Sequence, residues 1–152
     1  MSVEYTRIRC KTALSKSALP GLDYALNPYR GCEHGCLYCY SPSILRDPEL
    51  IERWGTKVAV RENIHEILVK EVERMKPGVV GVSTVCDPYQ PIERKEELTR
   101  RCVQILVEAG FSVCVQTKSD LVLRDLDLLR GGPSEVGVTI TTFDREISGK
   151  LE

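Results

Sequence analysis

Gly31-Cys32-Glu33-His34-Gly35-Cys36-Leu37-Tyr38-Cys39-Tyr40 places three cysteines in a C-x3-C-x2-C pattern inside one tight loop. Gly31 and Gly35 let the backbone reverse, because glycine reaches positive φ at little cost. A loop this short can aim three thiolates at one point. Soft thiolates select zinc, copper(I) or iron–sulfur clusters. Three is the informative number. A closed zinc site takes four ligands, and so does an all-cysteine iron–sulfur cluster. A 4Fe–4S cluster on three cysteines keeps one iron open to a non-protein ligand. The competing arrangement is a zinc site completed by His34 or Cys10. His34 lies between two of the cysteines, where a simultaneous tetrahedral bond is strained, so it reads as a solvated loop histidine. Cys10 reads as a small space-filling residue.

Around that loop the chain alternates strands with helices. Residues 3–22 are weakly patterned, with Thr6–Cys10 as a short strand and Ser15, Ser17, Pro20 and Gly21 as loop. Leu22–Asn27 is the first strand and feeds the cysteine loop. Ser41–Pro48, with two prolines, spans a turn and a short helix, and Trp54-Gly55 marks a break. Asn63 is a fair N-cap for a helix carrying Ile64, Ile67, Leu68, Val72 and Met75 on one stripe. His65 falls on its polar side. Val79–Val85 is a mostly apolar run of the kind buried parallel strands show.

Cys86-Asp87-Pro88-Tyr89-Gln90-Pro91 then stops that strand. The next helix starts near Ile92 or Glu93 and carries Leu98, Cys102, Ile105, Leu106 and Ala109, with Gly110 as its stop. Phe111–Thr117 and Val136–Thr141 are further strands. Leu121–Leu129 is a short helical connection with Asp125 as a candidate cap. Cys102 and Cys114 fit packing positions. Strands separated by helices imply right-handed crossovers and an α/β fold with a parallel sheet. Residues 1–22 read as an N-terminal extension and 23–152 as the core domain.

Composition narrows the classes. The 152 residues suit about one domain. Hydrophobic content of 42% and charged content of 28% are ordinary for a globular chain. A net charge of −1 does not announce nucleic acid. Arg94, Lys95, Arg100 and Arg101 form the local basic group, which fits a solvated helix face as well as a nucleic-acid contact. The apolar runs fall far short of the roughly 18–20 residues of a membrane span. Met1–Tyr5 lacks the apolar core of a signal peptide. Seven cysteines, three together and four scattered, are not a secreted disulfide framework. A reducing cytoplasm fits.

C-x3-C-x2-C with an aromatic residue before the last cysteine resembles the signature of the radical S-adenosylmethionine (SAM) superfamily. Asn27–Cys32, Asp87–Glu93 and Thr117-Lys118-Ser119 with Arg124-Asp125 further resemble its spore photoproduct lyase-like branch. That resemblance implies a partial parallel (β/α) barrel, of which this chain supplies about four of six βα units, leaving the core C-terminally incomplete and the last strand's edge exposed. It implies a 4Fe–4S cluster on Cys32, Cys36 and Cys39, whose open iron chelates SAM. It implies one-electron cleavage of SAM to methionine and a 5′-deoxyadenosyl radical, with an external donor of flavodoxin or ferredoxin type.

By the same resemblance, Tyr38 lies against the adenine. Ser83, Thr84 and Asp87 meet the methionine amino group, Lys118 pairs with its carboxylate, and Thr139 and Thr141 meet the ribose. Cys86 stands near the place of the lyase's hydrogen-donating cysteine. The expected substrate class includes nucleic-acid lesions. The alternative is a metal-binding domain, zinc or iron–sulfur, without turnover. Self-association through Val136–Thr141, or a complementing chain, is expected of an exposed edge.

Overall fold

The computed structural model describes residues 2–151. Its strands are β1 (Glu4–Ile8), β2 (Leu14–Lys16), β3 (Tyr24–Leu26), β4 (Tyr29–Arg30), β5 (Lys57–Arg61), β6 (Val79–Val82), β7 (Ser112–Thr117) and β8 (Ser134–Val138). Five form one sheet in the order β2-β3-β6-β7-β8, and three form another in the order β1-β5-β4. β3, β6, β7 and β8 run parallel to one another, and β2 is antiparallel to β3. In the smaller sheet β1 and β5 are parallel and β4 is antiparallel to β5. The parallel run with its crossover helices is a mixed α/β architecture, a partial βα barrel. β8 is an edge of the larger sheet.

The helices are α1 (Ser41–Ile44), α2 (Pro48–Glu52), α3 (Ile64–Val72), α4 (Glu93–Glu96), α5 (Leu98–Glu108), α6 (Leu126–Leu129) and α7 (Arg145–Leu151). A 3-10 segment, Asp120–Asp125, precedes α6. The apolar stripe of α3 buries Ile64 and Leu68, and that of α5 buries Leu98, Cys102, Val103 and Leu106. These meet Val80, Val82, Val113 and Val115 from the sheet in one core. Each fully buried side chain of this size contributes about 1.5–3 kcal/mol. Cys102 and Cys10 pack in or against this core, as their positions suggest.

Several expectations shift, each for a local reason. β6 ends at Val82 because Ser83 takes φ 59°, a left-handed conformation rare for a residue with a side chain. β8 runs from Ser134 to Val138, so Thr139 and Thr141 lie beyond it. Asn63 does not cap α3 with its side chain. Its amide accepts from Cys10 N at 2.8 Å and donates to Cys10 O at 2.9 Å, fastening the segment after β1.

The single helix expected from Glu93 to Ala109 is broken at Glu97, with φ 51°. The Glu93 carboxylate explains the break. It is wholly buried and accepts from Thr99 N at 3.0 Å and Arg100 N at 3.1 Å, capping α5 from the preceding turn. It also accepts from Tyr29 Oη and from Arg124 Nη2. Asp125 makes no side-chain cap; it is buried and paired with Arg100 and Arg124. β2 and β5, which periodicity does not single out, join the two sheets' frameworks.

Candidate cluster and cofactor site

A cavity of ≈350 Å³ opens at the C-terminal ends of β6, β7 and β8. That end is where parallel α/β folds collect their sites. Cys32, Cys36 and Cys39 line it from the loop side, and Ser83, Thr84, Cys86, Asp87, Lys118 and Thr139 line it from the strand ends. Tyr38 lines it too, while Thr141 reaches it through a 3.0 Å hydrogen bond to Tyr38 Oη. Lys118 Nζ donates to Tyr38 Oη at 2.7 Å and stands 5.2 Å from the ring centroid, so a cation and an aromatic face are already paired at the mouth.

The cysteine loop is bolted down from a distance. Gln90, fully buried, accepts from Glu33 N at 3.0 Å and donates to Gly31 O at 3.3 Å. Glu33 in turn accepts from Ile92 N at 2.6 Å and from Tyr5 Oη at 2.8 Å. Asp87 N donates to Cys32 Sγ at 3.4 Å. At Gly31, φ is +83° and a Cβ would lie 2.4 Å from the Lys57 carbonyl oxygen, so a side chain has no room there.

Asp87 is more heavily engaged than its sequence reading suggests. Its carboxylate accepts from Thr117 Oγ1 at 2.6 Å, Tyr89 N at 2.8 Å and Lys118 N at 2.9 Å. His34 Nε2 stands 3.5 Å from Asp87 Oδ2, and its side chain is 20% exposed. His34 is therefore not a solvated loop residue: it turns inward onto Asp87 and lines the cavity. Asp87 thus joins the cysteine loop to the ends of β6 and β7.

Burial pushes the Cys32 thiol up to about 12, while the backbone N–H groups of Asp87 and His34 favour its thiolate. Burial also raises Cys86, and the charge of Cys32 adds to it. Cys86 Sγ lies 3.5 Å from Tyr29 O, in β4. The expected basic face on α4 and α5 is largely neutralised. Arg94 pairs with Asp120, and Arg100 with Asp125 and Asp127, while Arg101 binds backbone carbonyls.

The cavity also uses residues the sequence reading passed over. Trp54, Gln116 and Thr117 line it. Trp54 appears in the sequence only as a break next to Gly55. Gln90 sits inside the Asp87–Glu93 stretch, where a glutamine between two prolines is the one available signal for a side-chain clamp.

Residues 26–151 match the Radical SAM superfamily, and the chain belongs to it. An uncharacterized protein of Methanocaldococcus jannaschii is 33% identical over 151 residues, covering 99% of this chain and 56% of the relative. One of Mycobacterium tuberculosis is 31% identical over 162 residues, covering 99% and 47%. One of Acidianus two-tailed virus is 32% identical over 139 residues, covering 85% and 46%. The chain spans about half the length of the curated relatives it matches. No solved structure matches it.

The residues suit the group this family carries. Among the described residues, no three His, Cys, Asp or Glu side chains converge as a single metal ion requires. Cys32, Cys36 and Cys39 do all line one cavity. Trp54 Nε1, on a lining residue, is buried without a hydrogen-bond partner, a condition that suits a polar atom facing a non-protein group. No helix among the described residues is long and apolar enough to cross a membrane.

Proposed function

We propose that this chain is the cofactor-binding core of a radical SAM enzyme, with Cys32, Cys36 and Cys39 holding a 4Fe–4S cluster. When bound, the cluster and SAM supply reductive cleavage of SAM to methionine and a 5′-deoxyadenosyl radical. The observation that carries this reading is the convergence of the three thiols, Lys118 and the ends of β6, β7 and β8 on one cavity.

The chain's own residues divide the work. Lys118 presents an ammonium for the methionine carboxylate, with Tyr38 steadying it. Ser83 and Thr84 offer oxygens toward the methionine amino group, with Asp87 behind them. Asp87 acts mainly by fixing Cys32, Lys118 and His34 in register. Thr139 and Thr141 stand on the ribose side, and Tyr38 on the adenine side. Cys86 presents a half-buried S–H at the cavity wall, suited to giving a hydrogen atom to a carbon-centred substrate radical.

The Asp87–Glu93 stretch supports the finer reading of a spore photoproduct lyase-like enzyme acting on nucleic acid. The test is anaerobic reconstitution with iron and sulfide, then reduction with SAM and assay for 5′-deoxyadenosine. About four irons and 5′-deoxyadenosine release are expected. Replacing Cys32, Cys36 or Cys39 by Ala should abolish both, and replacing Cys10, Cys102 or Cys114 should abolish neither. A requirement for a fourth cysteine would overturn the open-iron reading.

A further inference from the structure

Arg61 closes β5 and is half-buried, yet it has no hydrogen bond or ion pair from its side chain among the described residues. Other arginines without such a partner, Arg46, Arg74, Arg130 and Arg145, are exposed to water. Its neighbour makes the position more costly. Arg30 on β4 pairs with Ala59, and Arg61 N donates to Pro28 O at 3.1 Å. Side chains two apart on a strand share a face, so Arg30 and Arg61 are diagonal neighbours on one face of the smaller sheet. Diagonal residues lie roughly 7–8 Å apart, within reach for long side chains.

One acid attends the pair. Asp47 Oδ2 is 3.5 Å from Arg30 Nη2, and its other oxygen accepts from Leu50 N. Asp47 thus serves Arg30, and no carboxylate pairs with Arg61 among the described residues. Burial pulls Arg61 below its ordinary value, partly opposed by Cys10, and the like charge of Arg30 adds to the fall. A half-buried cation beside another is costly unless an anion joins them.

Arg30 also adjoins the cysteine loop in the chain, immediately preceding Gly31 and Cys32. Cys86, which lines the cavity, is within the electrostatic reach of Arg61. Guanidinium forks match tetrahedral oxyanions in planar, bidentate fashion. We propose that Arg30 and Arg61 form a phosphate-binding subsite on one face of the smaller sheet, next to the cysteine loop, which seats a phosphate of the substrate. This deepens the reading given above by naming a phosphorylated substrate. The subsite itself depends only on the chain's own charges.

The test uses the anaerobically reconstituted full chain, with its iron content recorded, and the variants Arg61→Met and Arg30→Gln. Two probes separate the sources of phosphate: inorganic phosphate followed by thermal melting, and a fluorescein-labelled single-stranded oligonucleotide followed by anisotropy. Wild type should gain melting temperature with phosphate. Arg61→Met should lose that gain, yet melt higher than wild type in phosphate-free buffer, because an uncompensated charge has gone.

If the phosphate belongs to a nucleic acid, the oligonucleotide should bind wild type about ten- to a hundredfold tighter than either variant. Its salt slope should then fall by about 0.7 per contact removed. A response to inorganic phosphate alone supports the subsite with a small phosphorylated substrate. No response to either probe, or an Arg61→Met variant that melts lower and still responds, would overturn it. Loss of iron binding in wild type with the phosphate response intact would sink the cluster reading and leave the subsite standing.

Discussion

The cysteine loop and the segment after β8 border the same cavity and are held in opposite ways. Gly31, Cys32 and Glu33 are bonded to Gln90 and Asp87, residues 55 to 59 positions away, and both of those partners are mostly or wholly buried. The other rim leaves Val138, Ile140, Phe143 and Ile147 exposed, Phe143 at 93%. It reaches the loop through Tyr38–Thr141 and through Leu37 N, which donates to Leu151 O at 3.0 Å. A buried amide that satisfies backbone groups rigidifies what it touches. Exposed apolar side chains on an edge fix nothing until something covers them. The cysteine side of the cavity is therefore built in advance, and the side after β8 is adaptable.

The sharpest way to break the anchored side is through its foundation. Arg124→Leu would leave Glu93 and Asp125 buried with too little positive charge between them. A loss of about 3–5 kcal/mol is expected in denaturant unfolding. A loss within experimental error would show that Glu93 is held by Tyr29 and the α5 N–H groups alone.

Gln90→Leu attacks the clamp directly. Two backbone groups of the loop lose their partners, and about 2–3 kcal/mol should go with them. The reconstituted cluster should also release iron faster to a chelator. Unchanged chelation kinetics would mean that the loop is rigid without Gln90.

Lys118→Ala tests the middle of the cavity. SAM affinity should fall about ten- to a hundredfold, a cost of roughly 1.5–3 kcal/mol, with iron content unchanged. Equal affinity in a titration would leave Lys118 as a partner of Tyr38 only. The smallest effect belongs to the adaptable rim. Val138→Lys should change stability by no more than about 0.5 kcal/mol. If β8 pairs with a second copy, the same change should shift the chain toward monomer in sedimentation. A monomeric wild type would retire the pairing idea.

The strand order was legible because Val79–Val82 and Ser112–Thr117 are apolar enough to announce burial on their own. The C-x3-C-x2-C loop was legible because its spacing is local. What escaped the sequence depends on distant partners. Asn63 reads as a cap until Cys10 is folded against it. Glu93 looks like a helix surface residue until Tyr29 and Arg124 meet it. His34 looks solvated until Asp87 stands opposite. Leu14–Lys16 has too short a pattern to show as a strand without Tyr24–Leu26 beside it. Side-chain roles set by residues 50 or more positions away leave no periodic trace.

Gly35 and Gly55 meet back to back. A Cβ on either would lie 3.0 Å from the other's Cα, and both have positive φ, +57° and +86°. The two positions are in effect one site written twice in the sequence. A mutation at either is felt at the other, and no second mutation elsewhere can make room, because the obstacle is backbone. In a library that randomises both positions together, survivors should be glycine at both.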